Sequence, residues 1–169
     1  MMIRTLQAED AARLMAFELE NRAWFEQYVE ARGDDFYTPA GLAAHIADYL
    51  ETQRKGGMHP CVLLDDHGAI IGRANLRYIN RYAGIGEVGY RIAHDQARKG
   101  LASAALTHLQ EVARTRYGLT RLRAWISEHN TGSQRVMDKC GFRRDTLSAP
   151  RVVQVGGGDH LSHLYYCAL

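Results

Sequence analysis

Residues 89–103 read GYRIAHDQARKGLAS, and they join a strand, a basic turn and the start of a helix without a linker. The N-terminus of a helix carries unpaired backbone N–H groups and a partial positive charge. Gly100 allows an anion to approach the backbone closely, and Ala102 keeps the first helical turn small. Arg98 and Lys99 add positive charge beside the turn. The arrangement is typical of a phosphate-binding site.

The same pattern has an ordinary explanation, because glycines are common at strand-to-helix turns and basic residues are common on surfaces. The stretch matches neither G-x-x-x-x-G-K-[ST] nor G-x-G-x-x-G, so a nucleoside triphosphate or a dinucleotide loses support as the ligand. No metal site is expected either. The eight histidines form no His-x-x-x-His pair, and the group of Asp159, His160 and His163 is read as the polar end of a hairpin.

Length and charge limit the class of protein. The chain has 169 residues, 21 Lys and Arg against 19 Asp and Glu, and a net charge of +2. It has no repeat or Pro-rich linker, so we expect one domain over residues 1–169. A small, mixed charge gives no footprint for nucleic acid or an anionic membrane. The sequence contains no run of about 18 apolar residues, so no membrane span is expected.

The cysteines and the N-terminal sequence bear on the compartment. Cys61, Cys140 and Cys167 are far apart and form no C-x-x-C pair, so we expect small buried side chains rather than disulfides. The first ten residues contain no apolar signal core. Together these features favour a cytoplasmic protein.

Hydrophobic periodicity predicts an alternation of strands and helices. Strands are expected at residues 3–6, 59–64, 69–79, 86–93 and 122–126, with a strand, turn and strand after residue 142. Helices are expected over residues 8–29 in two pieces, 39–55, 100–117 and 131–140. This order predicts a mixed sheet with helices packed on it, an α/β fold of mixed α+β character.

Two motifs resemble a known family. Gly89–Ala93 followed by Ala97–Ala102 resembles the acetyl-CoA motif of the GNAT superfamily of acyl-CoA-dependent N-acyltransferases, Gln/Arg-x-x-Gly-x-Gly/Ala. Ala97 departs from the first position, a modest change in a loop that works through its backbone. Asn130–Phe142, NTGSQRVMDKCGF, resembles the Asn-x-x-Ser…Gly-Phe signature of the ribosomal-protein alanine N-acetyltransferase branch.

The resemblance implies a fold and a donor. The fold is a mostly antiparallel twisted sheet with a central, splayed parallel pair and helices on both faces. Residues 86–93 and 122–126 form that pair, joined by the helix that begins at Gly100. The donor is acetyl-CoA, and no metal is implied. The cofactor-binding residues implied are Tyr90, Arg91, Ile92, Arg98, Lys99, Gly100, Leu101, Ala102, Ser103 and Asn130.

The resemblance also suggests catalytic groups. Glu87 is the candidate base, acting directly or through a water, although a solvent-facing glutamate is nearly as good an explanation; His94 is a weaker candidate. Many family members use a tyrosine as the acid where this chain has Met137. Ser133 matches the serine of the alanine branch, although serine is also common near a helix start. Thr131–Gln134 fits a capping box, which leaves Asn130 freer to bind the cofactor.

The acceptor stays open at this stage. Phe36, Tyr37 and Arg77 are the candidate substrate-binding residues. The resemblance favours a protein or peptide N-terminal α-amine, acetylated by direct attack in a ternary complex, because no cysteine lies in a reactive position. The alternatives are a small amine (a polyamine, amino sugar or amino-acid antibiotic) and a non-enzymatic acyl-CoA-binding module. Either a monomer or a homodimer fits.

Overall fold

The computed structural model describes residues 1–169 and contains one eight-stranded sheet and five helices. The strands are β1 Met2–Thr5, β2 His59–Leu64, β3 Ile70–Asn80, β4 Ile85–Ile92, β5 Arg121–Ser127, β6 Arg143–Arg144, β7 Arg151–Val155 and β8 Gly158–Ala168. The helices are α1 Ala11–Glu20, α2 Arg22–Phe25, α3 Pro39–Arg54, α4 Leu101–Tyr117 and α5 Thr131–Lys139. No helix combines the length and apolarity needed to cross a bilayer.

The strand order is β1-β2-β3-β4-β5-β8-β6, with β7 also paired to β8. Every pair is antiparallel except β4 with β5, which α4 connects. Helices cover both faces of the sheet. On β2, Cys61 joins the apolar core that contains Leu106 and Leu109 of α4, whereas Val62 joins the core that contains Leu14 of α1 and Ile46 of α3. The predicted fold class is confirmed.

The first helical region is shorter than the periodicity predicts. Helix α1 ends at Glu20 and α2 ends at Phe25, so regular helix covers only part of residues 8–29. The Asn21 side chain donates to the carbonyl of Phe17 at 2.9 Å, and its oxygen accepts from the His94 N–H at 2.8 Å. A side chain that bonds to the backbone in this way competes with helix continuation. Asn21 thereby ties the end of α1 to the end of β4.

The parallel pair is open for most of its length. Strands β4 and β5 pair only at Ile85 with Arg121, Gly86 with Leu122 and Glu87 with Arg123. Beyond this point β4 continues to Ile92 along β3, and β5 continues to Ser127 along β8. Two facing strand edges therefore lack sheet partners from residues 88 and 124 onward. The structure confirms the splayed pair, whose free backbone groups need another partner.

Candidate active site

A cradle of backbone amides lies between the open end of β4 and helix α4. The N–H groups of residues 98–103 donate to no backbone carbonyl, and the first helical bond runs from Ala104 to Gly100 at 3.0 Å. Arg98 and Gly100 both have left-handed backbones, with φ of 62° and 82°. A Cβ at Gly100 would have no atom within 4 Å, so the space in front of the turn is open. These features fit a diphosphate.

The opened strands border a cavity of about 330 Å³. Residues 88–91 of β4 and 125–127 of β5 form its floor, directly beyond the last paired residues of the two strands. Helix α5 contributes Ser133 and Met137 to one wall, and its N-cap residue contributes Asn130. The split in the sheet therefore opens into a chamber large enough for two reacting groups to meet.

Two hydroxyl groups meet in this cavity. The Tyr90 hydroxyl lies 3.1 Å from Ser133 Oγ and donates a hydrogen bond to it. Burial raises the pKa of Tyr90 to about 12, so the phenol keeps its proton at neutral pH. Sequence reasoning assigns Tyr90 to cofactor binding and finds no tyrosine acid, because Met137 occupies the expected position. The structure instead brings a phenol to Ser133 from β4, across the open pair.

The cap of α5 differs from the one predicted. Asn130 caps the helix, since its Oδ1 accepts from the Ser133 N–H at 2.9 Å. The predicted capping box of Thr131 and Gln134 is wrong, because the Gln134 side chain donates instead to the carbonyl of Ser127 at 3.1 Å. The cap fixes Ser133 at the edge of the cavity. It also occupies the Asn130 oxygen and leaves its amide N–H groups without a protein partner.

Arginines gather on the face of the sheet that α1 and α3 cover. Arg73 of β3 stands directly opposite Arg91 of β4, an arrangement of like charges that destabilises a sheet by itself. Glu18 of α1 offsets this repulsion. Its Oε1 accepts from Arg73 and, at 3.2 Å, from Arg32, and its Oε2 accepts from Arg91 at 3.3 Å. Arg32, Arg73 and Arg91 all line the cavity, whereas Glu18 is fully buried behind them.

Glu18 is expected to be essential for stability. Burial alone would raise its pKa, but the three guanidinium charges outweigh this effect and lower the pKa below its usual value. Glu18→Gln should lower the free energy of unfolding at pH 7 by about 3–5 kcal/mol, because the buried Arg73 and the mostly buried Arg32 and Arg91 lose their partner. The carboxylate contributes fully above its unfolded pKa near 4.5, and this contribution is lost as pH falls through the lower folded value.

Denaturant unfolding at pH 7 and pH 3 tests this expectation. The difference in the free energy of unfolding between wild type and Glu18→Gln should be smaller at pH 3 than at pH 7. Glu51→Gln is the matched control, because Glu51 is half exposed on α3 and pairs with Arg54 and Lys55 at the surface. That variant should change stability much less than Glu18→Gln does, because solvent screens an exposed ion pair. Equal effects of the two substitutions at pH 7 would contradict the role given to Glu18.

Glu87 lies beside the cavity and not on its wall. Its side chain is 6% exposed, and its two oxygens accept from Arg77 at 3.1 Å and from Arg123 at 3.2 Å. It stands at the last paired position of β4, where the sheet is still closed. Arg77, predicted as a substrate-binding residue, does line the cavity. His94 packs on Trp24 with ring centres 4.5 Å apart and is not among the lining residues.

Phe36 and Tyr37 pack against arginine side chains. They lie in a 3-10 turn, Asp34–Tyr37, and neither lines the cavity. The Phe36 ring supports the Arg32 guanidinium at 4.0 Å, and Tyr37 supports Arg22 at 4.2 Å. The aromatic residues that do line the cavity are Tyr28, Tyr49, Tyr90 and Trp125. Tyr28 lies beyond the end of α2, outside regular helix.

A separate cluster lies under α4. The ligand atoms of His59, Cys61 and His108 lie within 4.8 Å of one another. Burial raises the pKa of Cys61 to about 12 and lowers the pKa of His59 to about 4, so both groups are neutral at pH 7. None of the three residues lines the cavity. Sequence spacing does not reveal the cluster, because the helix residue is distant from the two strand residues along the chain.

The fold and the site together define a class of protein. An opened parallel pair, a turn of free amides and a hydroxyl pair in the cavity are features that suit an acyl-CoA-dependent acyltransferase. The amides suit a diphosphate, the strand edges suit an amide-containing arm, and the hydroxyls suit a leaving thiolate.

Comparison with known proteins gives the family. A family model described as the acetyltransferase (GNAT) domain matches residues 1–143. The Bacillus subtilis (strain 168) protein named "Probable N-acetyltransferase YjcK" is 30% identical over 152 residues, which are 89% of this chain and 84% of that protein. The chain belongs to the GNAT acetyltransferase family and is an acetyl-CoA-dependent acyltransferase.

Solved structures share the fold. Ribosomal-protein-S5-alanine acetyltransferase from Vibrio fischeri has a TM-score of 0.85 at 21% identity, covering 96% of this chain and 90% of that one. Spermidine N-acetyltransferase from Vibrio cholerae, solved with CoA and spermine, has a TM-score of 0.81 at 18% identity, covering 99% and 94%. The two are named for different acceptors, so the fold alone does not select one.

Proposed function

We propose that the protein transfers an acetyl group from acetyl-CoA to the α-amine of a peptide or protein N-terminus, by direct attack in a ternary complex. The observation that carries this proposal is the hydroxyl pair of Tyr90 and Ser133 in a cavity whose opposite side is lined by polar side chains. One half of the cavity is equipped for the leaving group, and the other half is left for an acceptor.

The residues that hold the donor follow from the free backbone groups. Acetyl-CoA supplies an acetyl group activated as a thioester. The amides of residues 98–103 would hold its diphosphate, with the side chains of Arg98 and Lys99 adding positive charge. The open edge of β4 at residues 90–92 would pair with the pantetheine amides as a neighbouring strand does. The free amide N–H groups of Asn130 face the same cavity.

Ser133 is the proposed acid. The Tyr90 hydroxyl donates to Ser133 Oγ, which leaves the hydrogen of Ser133 available for the leaving sulfur. The Tyr90 proton then moves to Ser133, and Tyr90 takes up, through water in the cavity, the proton that the attacking amine loses as the amide forms. Because the pKa of Tyr90 is about 12, both hydroxyl groups stay protonated over the pH range in which the enzyme would be assayed. Tyr90 is thus proposed both to border the cofactor through its backbone and to support the acid through its side chain.

The amine must be neutral to attack. An α-amine has a pKa of roughly 8, against about 10.4 for lysine, so less assistance is required at a chain terminus. The guanidiniums of Arg73, Arg77 and Arg91 favour the neutral amine further, because a like charge disfavours an ammonium. Glu87 as the base would act through a water, since both of its oxygens are bonded to arginine and it does not line the cavity.

The charge of the cavity counts against a polyamine acceptor. An acidic cleft would be expected for a polycation, and the acidic residues near the cavity are occupied. Glu18 is enclosed by arginines, and Glu26 and Asp34 both pair with Arg22. Arg32, Arg73, Arg77 and Arg91 line the cavity against the single carboxylate of Glu30.

Release of free CoA thiol tests the proposal. Three acceptors are compared at equal concentration: a peptide with a free N-terminus, the same peptide with a blocked N-terminus and one lysine, and spermidine. Turnover should require the free N-terminus. Faster turnover with spermidine would contradict the proposed acceptor, and tight CoA binding without turnover on any amine would favour a binding module.

A further inference from the structure

Three residues that line the cavity each have a buried polar atom without a partner: Asn75 Oδ1, Arg77 Nε and Trp125 Nε1. The first two belong to β3. Asn75 Oδ1 has no donor and Arg77 Nε has no acceptor, although both atoms are shielded from solvent. The residues are two apart on β3, so their side chains lie on the same face of the sheet, and both line the cavity. Buried polar groups in proteins are almost always hydrogen-bonded. The free acceptor Asn75 Oδ1 and the free donor Arg77 Nε–H would be satisfied by a ligand that carries an N–H group and an anionic oxygen.

The Arg77 guanidinium lies next to Gly89 of β4. A Cβ at Gly89 would lie 3.6 Å from a terminal nitrogen of Arg77. Gly89 precedes Tyr90, and neighbouring strand residues face opposite sides of the sheet. Arg77 is therefore on the side of β4 opposite the hydroxyl pair, one residue along the chain from it. This position suits the acceptor, because the amine attacks the acetyl carbon from a different direction from the one in which the thiolate leaves.

The charge balance around the cavity is positive. Five guanidinium groups line the cavity or pair with carboxylates directly behind its wall: Arg32, Arg73, Arg77, Arg91 and Arg123. Only three carboxylates oppose them, those of Glu18, Glu30 and Glu87. Burial and the charge of Arg91 lower the pKa of Arg32 to about 10, a sign of how closely the cations are packed. His45, which lies 2.9 Å from Arg73, adds no negative charge. An additional anion would be attracted to this cavity.

Given the proposed function, we infer that the acceptor carries a carboxylate a few bonds from its reacting nitrogen, with Asn75 Oδ1 accepting from the nitrogen and Arg77 donating to the carboxylate. Two sources supply this chemistry: the side chain of an N-terminal aspartate or glutamate, and the α-carboxylate of a free amino acid. A polycationic amine offers nothing to Arg77.

The test compares acceptors that differ in one group. Two amidated peptides are identical except for Asp or Asn at the first position, and free aspartate and spermidine complete the set. The kcat/KM for the Asp peptide should exceed that for the Asn peptide by about 10-fold to 100-fold, the usual range for a hydrogen bond to a charged group. A preference for free aspartate over both peptides would support the same chemistry and assign the small molecule as its source.

Substitution of Arg77 tests whether this residue causes the preference for the Asp peptide over the Asn peptide. Arg77→Gln should bring the ratio of kcat/KM for the Asp peptide to kcat/KM for the Asn peptide close to one, chiefly by raising the KM for the Asp peptide. Arg77 is 38% exposed, and Glu87 keeps Arg123 as a partner in the variant, so the fold should tolerate the change. Arg114→Gln is the control. Arg114 is exposed on α4 and pairs with Glu111, and this variant should keep the wild-type ratio.

Inhibition of the wild-type protein provides a second test, which does not depend on the folding of the Arg77 variant. Succinate, a dicarboxylate with no amine, should inhibit competitively against the acceptor, whereas 1,4-diaminobutane at the same concentration should not. Equal kcat/KM for the Asp and Asn peptides, or competition by the diamine alone, would overturn the inference while leaving the acetyltransferase proposal intact. Absence of thiol release with every amine would overturn both.

Discussion

Gly100→Val is expected to reduce CoA affinity by at least about 100-fold. Gly100 has a φ of 82°, a left-handed conformation that a β-branched residue adopts only with strain. A valine either distorts the turn or places its side chain in the open space in front of the amides. Each hydrogen bond to a charged group contributes about 1.5–3 kcal/mol, so loss of two such bonds produces an effect of this size. Isothermal titration of the variant with CoA measures it.

The opposite end of the same helix provides a matched control. Gly118 ends α4 with a φ of 65°, and a Cβ there would also have no atom within 4 Å. Gly118→Val therefore introduces the same kind of backbone strain, about 1–2 kcal/mol, far along α4 from the amide turn. Both variants should lose similar stability, and only Gly100→Val should lose CoA binding. Retained binding in Gly100→Val would contradict the assignment of the turn.

Ser133→Ala is expected to lower kcat by about 100-fold while changing the KM for acetyl-CoA by less than about threefold. General acid catalysis contributes roughly 10²–10⁴ to enzyme rates, and the departing thiolate is the group that requires the proton here. The helix N-terminus should survive the change, because the Ser133 backbone N–H still donates to Asn130. Steady-state kinetics with the best acceptor of the panel gives both parameters.

Tyr90→Phe separates a relay from two independent hydroxyls. If Tyr90 acts by supplying a proton to Ser133, its loss should lower kcat by about 10-fold and should have little effect once Ser133 is already alanine. The double variant should then resemble Ser133→Ala alone, since residues that act as one unit are not additive. Effects that multiply in the double variant, or an unchanged rate in Ser133→Ala, would contradict the relay.

Tyr165→Phe is the control for loss of a buried phenol. Tyr165 lies on β8 in the core beneath α4, burial raises the pKa of its hydroxyl, and it is not among the cavity residues. Its loss should leave kcat unchanged. A fall in kcat equal to that of Tyr90→Phe would show that removal of any core hydroxyl disturbs the enzyme.

The fold and the amide turn follow from local signals in the sequence. Alternation marks β3 and β4, a cap and proline mark α3, and glycine bounds α4 at both ends. The amide turn is accessible to sequence reasoning because it depends on chain order, a strand followed at once by a helix. The resemblance to GNAT proteins then supplies the opening of the parallel pair, which periodicity alone does not predict.

The cavity walls depend on register and on side-chain choices that the sequence leaves open. The polar alternation of Arg73, Asn75 and Arg77 is visible in the sequence, but its juxtaposition with Arg91 requires the pairing of β3 with β4. The contact of Tyr90 with Ser133 joins residues 43 apart across the open strands. Phe36 and Tyr37 are predicted as cleft residues because they fall in a turn-like segment. They pack against Arg32 and Arg22 instead and do not line the cavity.

The central claim is that the amides of residues 98–103 bind the diphosphate of CoA while the open edges of β4 and β5 accept its pantetheine arm. A crystal structure of the protein with CoA tests it most directly. The account predicts phosphate oxygens within hydrogen-bonding distance of these amides and pantetheine amides paired with residues 90–92. A complex with CoA bound elsewhere, and with β4 and β5 paired beyond Glu87 and Arg123, would contradict it.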